Sequence, residues 1–218
     1  MPGEVAGIAL MTDSFGARGS SWRPRSSLSP VIERAKAGEH DAFEQIVECY
    51  QRRVIATAWR MLGNREDARD AAQEIFLRVY KYLKRFRSDQ EFGPWLYRIV
   101  INVCHDHARK RGAPDRFVSF EAEQDSGRLE AISAEDDLEA AAICSQQRSM
   151  VAEALGTLSK KERAAIVLRD LEGLSTEEVA RVLGSSQTTV RSQISSARAK
   201  IKRYRDRILS TKVSRLKK

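Results

Sequence analysis

The stretch that most limits what this chain can fold into is Ser175–Ile201, STEEVARVLGSSQTTVRSQISSARAKI. A small residue (Ala180), a glycine (Gly184) and a β-branched apolar residue (Val190) stand at the spacing a helix-turn-helix needs. Ala180 allows close helix approach, Gly184 takes a left-handed turn without steric cost, and Val190 buries against the first helix. Ser175 and Glu178 form a capping box that starts the first helix. In the second helix Val190, Ile194, Ala197 and Ile201 recur at i, i+4, i+7 and i+11, a buried stripe. Arg191, Ser192, Ser195, Ser196 and Arg198 lie off that stripe, free to face a groove.

The rest of the chain is also helical in pattern. The 218 residues leave room for two small domains, and no strand-like alternation interrupts them, so the expected class is all-α. Residues 1–30 are rich in Ser, Gly, Arg and Pro without a period and read as a disordered extension, with Met11 an alternative start. Residues 31–112 read as a helical domain. A short helix over Val31–Ala37 precedes a longer one from Asp41, closed by Gly63-Asn64 as a C-cap pair. The next helix, Arg65 to about Phe86, buries Ala68, Ala72, Ile75, Phe76, Val79, Leu83 and Phe86. Its opposite side presents Asp70, Gln73, Glu74 and Leu77 at i, i+3, i+4 and i+7. A leucine set among polar residues on an outer face fits a docking surface for another protein, with a plain solvent face the alternative.

After a loop over Arg87–Pro94, a helix opened by Trp95 turns Leu96, Ile99, Val100, Val103 and His107 inward. Its outward residues are Trp95, Arg98, Asn102, His105, Asp106 and Arg109, closed by Lys110 and Arg111. Rings interleaved with cations suit single-stranded nucleic acid, with Phe92, Trp95 and Tyr97 the candidates for base stacking. Residues 113–145 are acidic, with eight acids against one base from Glu121 to Glu139, and read as a flexible linker. A second helical domain spans 146–208: a helix over Ser149–Thr157, one capped by Ser159 with Glu162 and running to about Leu171, then the helix-turn-helix. Residues 209–218 form a basic tail, and from Gln187 to Lys218 eleven bases face one acid, the signature of a polyanion partner.

Two segments carry a family resemblance. AFEQIVECYQRRVIATAWRMLGNREDARDAAQEIFLRVYKYLKRF, with WLYRIVINVCHDHARKR, resembles region 2 of bacterial sigma-70 family factors of the extracytoplasmic-function type. LSKKERAAIVLRDLEGLSTEEVARVLGSSQTTVRSQISSARAKI resembles their region 4. The resemblance implies an alternative sigma factor, cytoplasmic and nucleoid-associated in the holoenzyme. Its implied partners are core RNA polymerase, promoter DNA and an anti-sigma factor. It further implies that Asp70, Gln73, Glu74 and Leu77 dock on the polymerase. By the same resemblance Phe92, Trp95, Tyr97, Arg98, Asn102, His105, Arg109, Lys110 and Arg111 meet the −10 element. The helix bearing Thr189, Arg191, Ser192, Ser195, Ser196 and Arg198 enters the major groove at the −35 element. The sequence departs from the pattern at Gln193, where a second base is common, and at Ser195-Ser196, where bulkier or basic residues usually stand.

Other classes fit less well. Enzyme chemistry is not expected, because no phosphate loop or activated nucleophile is present. Cys104-His105-Asp106-His107 occupies consecutive helical positions that point to different sides, so neither a metal nor a cofactor is expected. Cys49, Cys104 and Cys144 are odd in number and scattered, which fits reduced thiols. No apolar run approaches the ~20 residues of a membrane span, so no membrane insertion is expected. A helix-turn-helix regulator that is not a polymerase subunit needs a sensor in place of residues 31–112, where no pocket-forming sheet is visible. An RNA-binding adaptor has only charge and aromatics in its favour.

Overall fold

The computed structural model describes residues 28–110 and 149–216, with side chains as far as Ser210. Among these residues every regular element is a helix. The first bundle comprises α1 (Ser29–Lys36), α2 (His40–Leu62), α3 (Arg65–Leu83) and α4 (Phe92–Lys110). The second comprises α5 (149–156), α6 (Lys160–Ile166) continued by a π-helical turn (Val167–Leu171), α7 (Thr176–Leu183) and α8 (Gln187–Leu216). The extension and the acidic linker expected at 1–30 and 113–145 fall outside the described residues, except that Ser29 and Pro30 already belong to α1.

In the first bundle α1, α3 and α4 pack on α2. Ile46, Tyr50 and Val54 of α2 meet Ile75, Val79 and Leu83 of α3 and Leu96, Val100 and Val103 of α4, all buried in one core. Each of these side chains contributes on the order of 1.5–3 kcal/mol of burial. Gly63, at φ 75°, ends α2 by donating to Trp59 O at 2.7 Å. Asn64 does not complete that cap. Its side chain instead accepts from the N–H groups of Glu66 and Asp67 and starts α3, so one residue closes a helix and the next opens another. The helix expected to open at Trp95 opens at Phe92, with Pro94 inside its first turn. A missing N–H is harmless there, because first-turn amides have no intrahelical acceptor.

In the second bundle Leu155, Ile166 and Leu168 pack with Val179, Val190, Ala197 and Ile201. The buried Arg163 donates to Leu155 O (3.0 Å), Leu158 O (3.2 Å) and Met61 O (3.0 Å), bracing the α5–α6 corner and touching the end of α2. Glu162 completes the Ser159 capping box and also accepts from Ser196 (2.6 Å) and Lys200 (2.7 Å) of α8. Burial opposes its ionisation, but the Lys200, Ser196 and Ser159 bonds outweigh burial and hold the carboxyl down at about 2. A carboxylate held below its ordinary 4.5 adds stability that is complete above that value and lost as pH falls toward 2. The melting temperature of the wild-type chain is therefore expected to fall more steeply with pH below 4.5 than that of Glu162→Gln, measured by circular dichroism.

The two bundles sit against each other: α7 lies along α4, and α6 touches α2. The basic tail expected at 209–218 instead continues α8 as far as Leu216, and within that helix Tyr204 carries the buried stripe past Ile201 and bonds Glu153 of α5 through its hydroxyl. No helix among the described residues is long and apolar enough to cross a membrane.

Candidate nucleic-acid interface

The helix-turn-helix forms as its spacing dictates. Ser175 and Glu178 make the capping box, and Gly184 takes φ 59°. Ser186 Oγ accepts from the Thr189 amide (3.1 Å) and caps α8. Val190, Ile194, Ala197 and Ile201 are buried on Val179 and Ala180. Thr189, Arg191, Ser192, Ser195, Ser196 and Arg198 are all exposed, yet they are not equivalent. The Thr189 hydroxyl is paired with Ser186 Oγ at 2.8 Å. Ser196 donates to Glu162, and Arg198 grips Asp170 through two bonds of 2.9 and 2.7 Å. Arg191, Ser192 and Ser195 have no side-chain bond among the described residues and share the outward face with Lys202 and Arg203, which sequence reasoning missed. A helical wheel carried past Ile201 finds those two cations on the same face as Ser192 and Ser195.

On α3, Asp70, Gln73 and Leu77 are exposed, Leu77 to 64% of its area. Glu74 is half-buried, bonded to Arg78 and, at 2.9 Å, to His107 Nε2, with Arg78 reaching on to Asp106 at 3.2 Å. The His107 bond, burial working against it and the Arg78 bond leave the Glu74 carboxyl below its usual value. Glu74 thus stitches α3 to α4, a structural task the outward row did not suggest.

Helix α4 has three sides, where two were expected. Leu96, Val100 and Val103 face the first core. Tyr97, Ile101 and Cys104, at i, i+4 and i+7, form a second buried stripe. Phe92 is likewise buried, in a ring cluster with Tyr50, Phe86 and Trp95. In this arrangement Phe92 and Tyr97 therefore serve packing and do not lie open for base stacking. Trp95 is half-buried, and Arg98, Asn102, Arg109 and Lys110 are exposed. Arg111 lies outside the described residues. His105 is half-buried with Nε2 unpartnered, and burial, then Lys160 of the second bundle, hold its imidazole below the ordinary value. It is thus a neutral group at neutral pH.

The most heavily bonded carboxylate among the described residues was not anticipated. The Glu172 carboxylate accepts from Tyr97 Oη (2.5 Å), Thr57 Oγ1 (2.7 Å), Arg60 (3.0 Å) and Arg53 (3.0 and 3.1 Å), while Arg53 also reaches the Glu172 carbonyl at 3.2 Å. The π turn aims it: the Glu172 N–H bonds back five residues to Val167 O at 2.9 Å, and Gly173 at φ 79° then reverses the chain. Burial, then the Glu172 charge, push the Tyr97 phenol well above its ordinary value, so it acts as a donor. A polar row at Arg53, Thr57 and Arg60, i, i+4 and i+7 on α2, was the trace in the sequence.

A family model described as Sigma-70 region 2 matches residues 46–113, and one described as Sigma-70, region 4 matches residues 148–201. The RNA polymerase sigma-H factor of Pseudomonas aeruginosa is 36% identical over 176 residues, 78% of this chain and 90% of its own. The chain belongs to the sigma-70 family of RNA polymerase sigma factors. The ECF RNA polymerase sigma-E factor of Escherichia coli K12 is 35% identical over the same share of each chain, and this sigma factor is of that extracytoplasmic-function type. Among solved structures, CnrH in complex with the cytosolic domain of CnrY matches with a TM-score of 0.61 and 29% identity, over 83% of this sigma factor and 98% of that chain. The sigma factor RpoE in complex with the anti-sigma factor NepR from Bartonella quintana shares the fold, with a TM-score of 0.56 and 23% identity over 74% and 95% of the two chains. The first bundle is thus the region 2 module and the second the region 4 module of an alternative sigma factor. A regulator outside the polymerase is set aside, because region 2 occupies the place of its sensor.

Proposed function

We propose that this sigma factor divides its work between residues 31–112, which dock on core polymerase and meet the −10 element, and residues 146–208, which read the −35 element. Asp70, Gln73 and Leu77 form the polymerase-facing patch, with Glu74 holding its helix in place. Trp95, Arg98, Asn102, Arg109, Lys110 and Arg111 follow the opened −10 strand. Phe92, Tyr97 and His105 support that surface from within. At the −35 element Arg191, Ser192 and Ser195 are the base-reading group, Thr189 the cap beside it, and Lys202 and Arg203 the phosphate contacts. Ser196 and Arg198 keep their bonds to Glu162 and Asp170 and act as braces.

The chain catalyses no bond change. Energy for strand opening comes from contacts made only with the separated strand, where a ring and cations replace base stacking. An anti-sigma protein is the expected cytoplasmic regulator, and the holoenzyme resides on the nucleoid.

The observation that carries this reading is the exposed row on α8, the second helix of the helix-turn-helix, whose cations Arg191, Lys202 and Arg203 have no side-chain bond among the described residues. Arg191→Ala is expected to cost about 1–3 kcal/mol of −35 duplex binding and to relax specificity at one base pair. Lys202→Ala with Arg203→Ala should instead weaken all sequences alike and lower the salt slope by about 2. Run-off transcription from a promoter library with purified core polymerase tests the whole assignment. Unaltered start-site choice on adding the chain would overturn it.

A further inference from the structure

We infer that Ser88, with Glu33 and Lys36 of α1, braces the exposed loop at residues 87–91, and that these three are positioning residues for the single-strand surface of region 2. The first ground is the bonding itself. The Ser88 hydroxyl donates to Glu33 Oε1 and accepts from Lys36 Nζ at 2.8 Å, and Lys36 closes the triangle on Glu33 Oε1 at 3.2 Å. Sequence separations of 52 and 55 residues make this a tie between elements. The Ser88 bond, then Lys36, hold the Glu33 carboxyl below its ordinary value, which keeps it the acceptor of both donors. Residues 87–90 are all exposed, and Arg87 bonds only to Asp89, within the loop. Among the described residues Ser88 is therefore the one of those four whose side chain bonds another element. The post it is tied to is fixed, because Ile32 and Ala35 bury the other face of α1 against α2.

The second ground is where the loop sits, and it rests on the promoter reading given above. The chain leaves the core at Phe86 and returns at Phe92, two buried rings with centroids 5.5 Å apart. Trp95 packs on both, at 5.1 and 5.3 Å, and is half-buried. The loop thus starts and ends on the two rings that hold Trp95, the ring assigned to the opened −10 strand. A turn in which the Gln90 N–H bonds Arg87 O at 3.0 Å shapes its middle. The rings fix its two ends, and the α1 triangle fixes the turn between them.

The third ground is energetic. The Glu33 side chain is 52% exposed, and bonds so open to water add little to folding stability. Their effect falls on binding instead. A loop that must be ordered as a ligand arrives weakens association, and a loop already held avoids that loss. A held loop also discriminates, because it cannot reshape itself around a wrong base.

The test compares the full-length wild-type chain with Ser88→Ala, Lys36→Met and the hydroxyl-keeping Ser88→Thr. Amide hydrogen exchange of the free chains reads the brace. Its use is read by the affinity of each holoenzyme for a short fluorescent single strand, copied from the −10 region of the library promoter that the wild type uses best. The same strand altered at one base gives the discrimination ratio. Ser88→Ala and Lys36→Met are expected to exchange faster at 87–91 and to melt at the wild-type temperature. Both should bind the strand about three- to tenfold more weakly and lose a similar factor of discrimination, with Ser88→Thr close to wild type. Unchanged exchange in both variants overturns the brace. Faster exchange with wild-type affinity and discrimination overturns its positioning role, as does an equal loss in Ser88→Thr. Faster exchange in the variants, when the wild-type holoenzyme itself shows no preference among the strands, upholds the brace and overturns the promoter reading instead.

Discussion

A chain carrying Asp70→Arg with Leu77→Asp is expected to lose two to three orders of magnitude in affinity for core polymerase, about 3–4 kcal/mol, while melting at the wild-type temperature. The two halves of that expectation come from the same observation. Asp70 and Leu77 are exposed on α3, and Leu77 is the most exposed large apolar side chain described. Burying a leucine in an interface is worth on the order of 1.5–3 kcal/mol. Turning an acid to a base where a complementary patch must dock adds like-charge repulsion of several kcal/mol at most. Exposed positions without intramolecular bonds change folding stability by only about ±0.5 kcal/mol. Glu74 is left untouched by design, because its bonds to Arg78 and His107 tie α3 to α4, and its loss would mix a folding defect with a docking defect. Titration of fluorescently labelled core polymerase gives the affinity, and a thermal scan gives the control. Wild-type binding by this variant would move the docking patch elsewhere on the molecule.

The parts of this fold that could be read from the sequence are those whose cause is local. Gly184 must be glycine-like because its own backbone sits at φ 59°, and Ser175 and Ser159 cap because an acid stands three residues on in each case. The exposed row on α3 was visible for the same reason: helical period alone separates Ile75 and Val79 from Asp70 and Leu77. What was hidden depends on a second element. Tyr97 looked free for base stacking because one core accounts for only one side of α4, and nothing in WLYRIVINVC announces that region 4 covers a second side. Ser196 and Arg198 looked like readers because a polar side chain facing Glu162 or Asp170 has the same sequence signature as one facing water. Glu172 sits in DLEGL, which reads as a helix end. Its π turn needs one extra residue per turn, and its partners lie in a different module. The continuation of α8 into 209–216 was missed because charge dominated the reading of that end, while Tyr204 and Ile208 kept the stripe going up to it.

Arg163→Met is expected to destabilise the region 4 module by about 3–5 kcal/mol. Methionine keeps the length and apolar stem of the side chain, so the loss isolates the guanidinium. That group donates to the carbonyls of Leu155, Leu158 and Met61 at 3.0–3.2 Å from a site only 6% exposed. Each abandoned buried carbonyl costs roughly 1–3 kcal/mol, and the three share one donor group, so the costs do not fully add. Arg163→Lys should rescue little, because an ammonium cannot present the same planar fork to three acceptors. Urea titration measures the change as a lower midpoint at unchanged slope. Since Met61 belongs to region 2, the same substitution should also loosen the seam between modules. Glu172→Ala, which removes the seam carboxylate that accepts from Arg53, Thr57, Arg60 and Tyr97 and leaves the α5–α6 corner intact, is the control that separates the two roles. An unfolding free energy for Arg163→Met within about 0.5 kcal/mol of wild type, the effect expected at an exposed position, would mean that the three carbonyls find other donors and that the corner is held by its apolar packing alone.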